Sequence, residues 1–207
     1  MEKLDLKKRY APYYSAARQP EIRQIEAARY ISITGQGDPD GPEYAAKVQA
    51  LFTVAYSLKF AFKQEGQDFV VPRLEGCWWF DEDAYGSVTM EEAPTRIPRS
   101  EWHWRMMIRM PEFVHAAALT VAIDEVIRKK ALETARSIAW LETPPEKVVQ
   151  MLHVGPFERE PESLRILQQF IEQRGFKKAG LHHEIYLSDI RRAAPESWRT
   201  ILREPVS

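Results

Sequence analysis

The clearest periodicity in the chain lies between Glu43 and Lys63. There Tyr44, Val48, Leu51, Ala55, Leu58 and Phe62 recur at steps of four and three, which lines one face of an α-helix. Shorter runs on either side carry strand patterns. Pro20 opens a predicted strand pair, Ile22–Ile25 and Arg29–Thr34, and residues 35–42 are dense turn punctuation. Phe69–Pro72, Glu75–Phe80 and Trp102–Met110 read as strands, the last two separated by a polar, proline-containing stretch over 81–100. Pro111 suits the first position of a second helix that runs to about Lys130. Ser137–Leu141 and Lys147–His153 follow as strands. Pro161 opens a third helix that Gly175 stops, and His183–Leu187 is the last clear strand.

The two halves repeat one order. Arg29–Gly37, helix 43–63 and strand 75–80 match Val148–Gly155, helix 161–174 and strand 183–187, each half with a glycine-containing turn before its helix. This pattern predicts an α+β fold: an antiparallel sheet with helices packed on one side and a cleft on the other. The length of 207 residues suits a single domain over 1–207, with an extension at 1–19, a first half over about 20–110 and a second over about 111–207.

Composition narrows the function. The 29 basic and 30 acidic residues leave a formal charge of −1, and there is no basic block, so nucleic acid is not an expected partner. The longest apolar run, Ala116–Ile123, is too short to span a bilayer, and no membrane partner is expected. A single cysteine, Cys77, allows no internal disulfide, and the charged first twenty residues do not resemble a signal peptide, so the cytoplasm is the expected location. Four of the six tryptophans, Trp78, Trp79, Trp102 and Trp104, cluster in sequence, which marks either a thick core or a pocket for a flat ligand.

Several separated segments resemble the stand-alone GyrI-like proteins. They are Gly35-Gln36-Gly37-Asp38-Pro39, the helix segment Leu51–Lys59, Pro72–Trp79, Trp102-His103-Trp104 and His183–Asp189. The resemblance implies a duplicated strand–helix–strand–strand unit, with a ligand cleft between halves related by a pseudo-twofold axis. Relatives include effector domains of multidrug-sensing transcription activators and inhibitors of DNA gyrase, which leaves gyrase as a weak candidate partner. Some stand-alone members hydrolyse cyclopropane-bearing DNA-alkylating natural products. The chain leaves no room for the helix-turn-helix domain of the transcription factors.

The resemblance puts the family's buried pocket glutamate at Glu184, which shares a strand face with Tyr186 while Ile185 and Leu187 take the other. A carboxylate among apolar neighbours suits a general base or the counter-charge of a cation; an exposed glutamate on an edge strand is the alternative. Glu75 is the second catalytic candidate: if the halves superpose it is the counterpart of Glu184, and two carboxylates facing one cleft can divide acid and base roles. It is otherwise a glutamate closing a turn. The ligand-binding candidates are Trp78, Trp79, Trp102 and Trp104 as aromatic walls, Tyr56 and Tyr186 as hydroxyls, and His183.

No metal is expected, because His183 faces away from His182 and Glu184. Arg191, Arg192, Arg199 and Arg203 read as a solvated face. The expected function is hydrolysis of an electrophilic, cyclopropane-bearing aromatic compound by carboxylate-activated water. No cofactor is needed, since ring strain supplies the driving force. The alternative is a non-catalytic module that binds or senses planar, amphipathic or cationic drugs.

Overall fold

The computed structural model describes residues 3–86, 88–89, 91–190 and 192–207. In chain order the elements are α1 (Leu6–Arg9), β1 (Glu21–Ile25), β2 (Ala28–Gln36), α2 (Pro42–Gln64), β3 (Leu74–Trp79), α3 (Glu82–Tyr85), α4 (Ala93–Arg96), β4 (His103–Arg109), α5 (Ala116–Lys130), β5 (Ala139–Thr143), β6 (Glu146–Val154), α6 (Glu160–Gln173), β7 (His182–Tyr186) and β8 (Arg199–Pro205). The eight strands form one antiparallel sheet in the order β1-β6-β8-β7-β3-β4-β2-β5. The fold is α+β and internally duplicated.

Three expected features change. Phe69–Pro72 forms no strand, Phe69 making only an isolated bridge to Leu4. Ile22–Ile25 and Arg29–Thr34 do not pair with each other. Neither Glu26 nor Ala27 takes the left-handed conformation of a two-residue hairpin turn, so β1 and β2 run on as one broken strand. It lies against β5 and β6 in a single register, from Glu21 opposite Gln150 to Ser32 opposite Ala139. The second helix starts at Ala116 rather than Pro111, because Pro111–Val114 is a turn and the His115 ring accepts the Ala118 N–H as an N-cap.

Strand β8 lies outside the expected set, yet it is central, between β6 and β7. Its sequence hides it, since Arg203 and Glu204 are both buried. Arg203 is fully buried rather than solvated, donating to Gln150 and to the Tyr13 carbonyl. Arg191 lies outside the described residues.

Pleating sorts side chains onto two faces. On one, Ile31, Ile33, Trp104, Met106 and Ile108 pack under α2 and α5, and Val149, Met151 and Leu202 pack under α6. The opposite face is filled by the N-terminal segment: Leu6, Tyr13 and Tyr14 pack against Ile25, Val148, Leu152, Ile185 and Ile201. The tyrosine ring of residue 13 sits between two guanidinium groups, those of Arg109 and Arg203, each 4.4 Å from its centroid. The face expected to hold the cleft is therefore occupied.

Trp104 is core. It is fully buried, its indole lies over Gly35, where a Cβ would come within 2.2 Å of the ring, and its Nε1 donates to the Gly37 carbonyl. Trp104→Ala should destabilise the protein by about 3–5 kcal/mol, measured by urea unfolding. Weakened ligand binding with unchanged stability would contradict this placement.

Candidate functional site

The centre of the sheet is the β3–β7 pair, where Gly76 lies opposite Glu184 and Glu75 opposite Ile185. Glu184, Tyr186, His182 and Trp78 share the helix-covered face, while Glu75, Cys77, His183 and Ile185 point to the N-terminal segment. Glu75 and Glu184 do not share a cleft. Matched end to end, β2 with β6 and β4 with β8, the halves put Gly76 on Glu184 and His183 on Glu75. Fully buried Glu75 accepts from the Tyr13 hydroxyl at 2.5 Å and the His183 ring at 2.9 Å, and the Tyr30 hydroxyl is 2.7 Å from that of Tyr13. Since Tyr13 gives its one proton to the carboxylate, Tyr30 is the donor to Tyr13. Glu75 and His183 thus anchor the N-terminal segment. Burial foremost, then the Arg105 and Glu75 charges in opposite senses, leave the Cys77 thiol pushed up to about 12, so it is not a thiolate nucleophile at neutral pH.

Around Glu184 the groups converge from four elements. Tyr44 of α2 stacks near Trp78, with centroids 6.3 Å apart, and Trp78 meets Trp102 edge-on at 6.1 Å. The Trp78 Nε1 donates to the Tyr186 hydroxyl at 2.9 Å. Phe157, just before α6, closes on Tyr186 and Trp198. Burial, then the charge of Glu184, raises both the Tyr44 and Tyr186 phenols, so each stays a neutral hydroxyl. Gly76 makes this crowding possible by lacking a side chain: a Cβ there would lie 2.6 Å from Met106 Cε and 3.0 Å from the Tyr186 oxygen. Its role is space, not backbone freedom.

Behind Glu184 sits His182, 1% exposed. Its Nε2 is 3.2 Å from Glu184 Oε1, and its Nδ1 is 2.5 Å from Glu204 Oε1. Burial alone would lower this imidazole, but Glu204 and Glu184 outweigh it and push it up to about 10. A second carboxyl approaches from α6. Burial of Glu160 raises it well above the usual carboxyl range, and the charge of Glu184 adds to the effect. Glu160, His182 and Glu204 went unrecognised in the sequence. The neighbouring His182-His183-Glu184 was the one signal, and the partner that explains it is 22 residues away on β8.

The other ligand candidates divide. A cavity of about 300 Å³ is lined by Trp78, Trp79, Phe80, Glu82, Trp102, Lys178, Gly180 and Leu181. Trp78 borders it and also reaches Tyr186, whereas Glu184 does not line it. Trp79 stacks on His103 across the strand pair. Tyr56 lies away from the site, exposed on α2 beside Phe60, because the buried stripe of that helix runs through Leu51, Ala55 and Leu58.

The C-terminal domain of EcmrR has a similar fold. That domain aligns with a TM-score of 0.54 at 14% identity, over 91% of this chain and 97% of its own, a likeness of fold alone. Much nearer are structures from Listeria innocua. One, described as an uncharacterized conserved protein, is 35% identical with a TM-score of 0.88, over 99% of this chain and 100% of its own. Another, described as a hydrolase, is also 35% identical, with a TM-score of 0.84 and the same coverage. The chain belongs to the family of these Listeria proteins. No protein-family model and no curated protein matches it. Among the described residues no helix is long and apolar enough to cross a membrane.

The raised Glu160 carboxyl gives a pH test. A carboxyl raised on folding contributes stability that is fully present below its unfolded value of about 4.5 and lost as pH rises through the folded value. Glu160→Gln mimics the neutral acid, so the variant should melt higher than wild type at about pH 8, with a flatter fall in melting temperature between about pH 5 and pH 8. Equal or lower stability at pH 8 would mean that Glu160 is ionised in the folded protein.

Proposed function

We propose that the protein is a GyrI-like small-molecule hydrolase, one domain over its whole length, in which Glu184 activates water against an electrophilic, cyclopropane-bearing aromatic compound. The observation that carries this is the setting of Glu184. It is a nearly buried carboxylate on the helix-covered face of the sheet, among the neutral phenols Tyr44 and Tyr186 and beside Trp78. The hydrolase description of a 35% identical Listeria relative supports the reaction class. The flat chromophore lies against Trp78, the ring that borders the cavity and also reaches Tyr186 beside Glu184, and an aromatic contact of this kind contributes roughly 0.5–1.5 kcal/mol beyond buried area.

In the reaction, Glu184 takes a proton from water as the water oxygen bonds to the unsubstituted ring carbon. The strained carbon–carbon bond breaks. Its electron pair moves through the conjugated ring to the carbonyl oxygen, which is protonated to a phenol as Glu184 gives up its proton through solvent. The net change is addition of one water. Aromatic faces beside a carboxylate would also hold a cation, and that favours a binding module as the second reading.

Glu184→Gln separates the two. As a base, Glu184 is worth roughly 10²–10⁴ in turnover, so the variant should lose that much while binding a neutral substrate within a few-fold of wild type. Product is read by mass spectrometry as the substrate plus one water. If wild-type protein binds such a compound and releases it unchanged, the hydrolase reading fails and the binding module stands.

A further inference from the structure

Alternation along β7 puts His182 and Glu184 on one face, and Glu204 of β8 reaches the same face beside them. Each ring nitrogen of His182 meets a carboxylate oxygen, at 2.5 Å and 3.2 Å, and no other acceptor among the described residues. An ionised carboxylate only accepts, and a neutral imidazole has a single N–H. Both contacts are satisfied together only by the doubly protonated ring. We infer that His182 is the positioning residue of Glu184, an imidazolium clamped by Glu204 that fixes the Glu184 carboxylate in orientation and offsets its charge.

This inference rests on the reading of Glu184 as the working carboxylate. The matching positions of the first half explain why only one half can do this. Leu74, Gly76 and Ile108 stand where the second half has His182, Glu184 and Glu204, so duplication left an apolar row facing a charged one. The clamp is anchored away from solvent: His182 and Glu204 side chains are 1% and 5% exposed, against 12% for Glu184. The reactive end of the row is the accessible one.

The surrounding titratable groups do not replace the imidazolium. Glu160 of α6 faces it with a carboxyl that burial raises well above the usual range, which weakens it as a competing negative charge. His153 of β6, lowered by burial, holds Ser163 and the Pro156 carbonyl. Tyr186 of β7 and Tyr44 of α2 are neutral phenols, and β3 presents Trp78.

The test is the double variant His182→Gln/Glu204→Gln, which removes the cation without stranding its buried partner. The imidazolium lost lies nearer to Glu184 than the Glu204 charge lost with it, so the acidic limb of the pH–rate profile should move up, with KM within about threefold. An unmoved limb overturns the inference. Should wild type prove unable to hydrolyse, the same limb is read in the pH dependence of phenyltrimethylammonium binding by tryptophan fluorescence, so the clamp and the hydrolase reading fail separately. If the double variant does not fold, nitrogen NMR of wild-type His182 decides. Both ring nitrogens should be protonated at about pH 7, losing a proton only near pH 10; a neutral tautomer at pH 7 overturns the inference.

Discussion

Strands β3 and β7 hydrogen-bond at the middle of the sheet, and their register governs where every polar group of the second half ends up. Gly76 opposite Glu184 leaves an opening on the helix side that Tyr186 and Trp78 close with one hydrogen bond. A slip of one residue would turn Glu184 toward the N-terminal segment and bring His183 out in its place. The register is held from outside the pair. Ile185 is fully buried against Ile201 and Val148 on one face, while Met106 and Leu202 pack beneath the helices on the other. The site thus inherits its precision from apolar packing that alternation makes all-or-none.

Each face carries a buried charged network, and the two differ in what they contact. The inner one joins Glu75, His183, Tyr13 and Tyr30, with Arg109 and Arg203 against the Tyr13 ring, and its function is to hold the N-terminal segment in place. Buried ions add little net stability over an apolar equivalent, but removing one partner is costly. Such a network therefore makes the segment's position specific more than it makes the fold strong. The outer network, Glu204–His182–Glu184, ends at a side chain that still touches solvent.

Much of this was legible in the sequence. The helix stripe from Tyr44 to Phe62 forms as expected, as does the sharing of one face by Glu184 and Tyr186, since local periodicity fixes both. The duplication was legible too, but not its alignment. Glu75 resembles Glu184 in type, whereas the register pairs Glu184 with a glycine, and a missing side chain gives no periodic signal. Strand β8 escaped because Arg203 and Glu204 look solvated until their partners Gln150, Tyr13 and His182 arrive from distant segments. Trp104 was read with its neighbours as pocket wall. Only the packing of Gly35 beneath its ring makes it core. What sequence missed was in each case a long-range partner.

The charge of the outer face limits what can bind there. Glu184 and Glu204 flank the single imidazolium of His182, and burial raises the nearby Glu160 carboxyl well above its usual range. The carboxyl groups outnumber that one cation, and Glu184 stands at the solvent end of the row beside aromatic rings. An anionic ligand would meet Glu184 in a partly buried site, where like-charge repulsion costs several times what it does in water. A neutral aromatic compound meets no such barrier, and its carbon can approach a carboxylate whose other side is already satisfied. Were His182 neutral, two buried carboxylates would share the face unscreened, and one would take up a proton. The imidazolium is thus what allows Glu184 to remain charged where a neutral ligand can reach it.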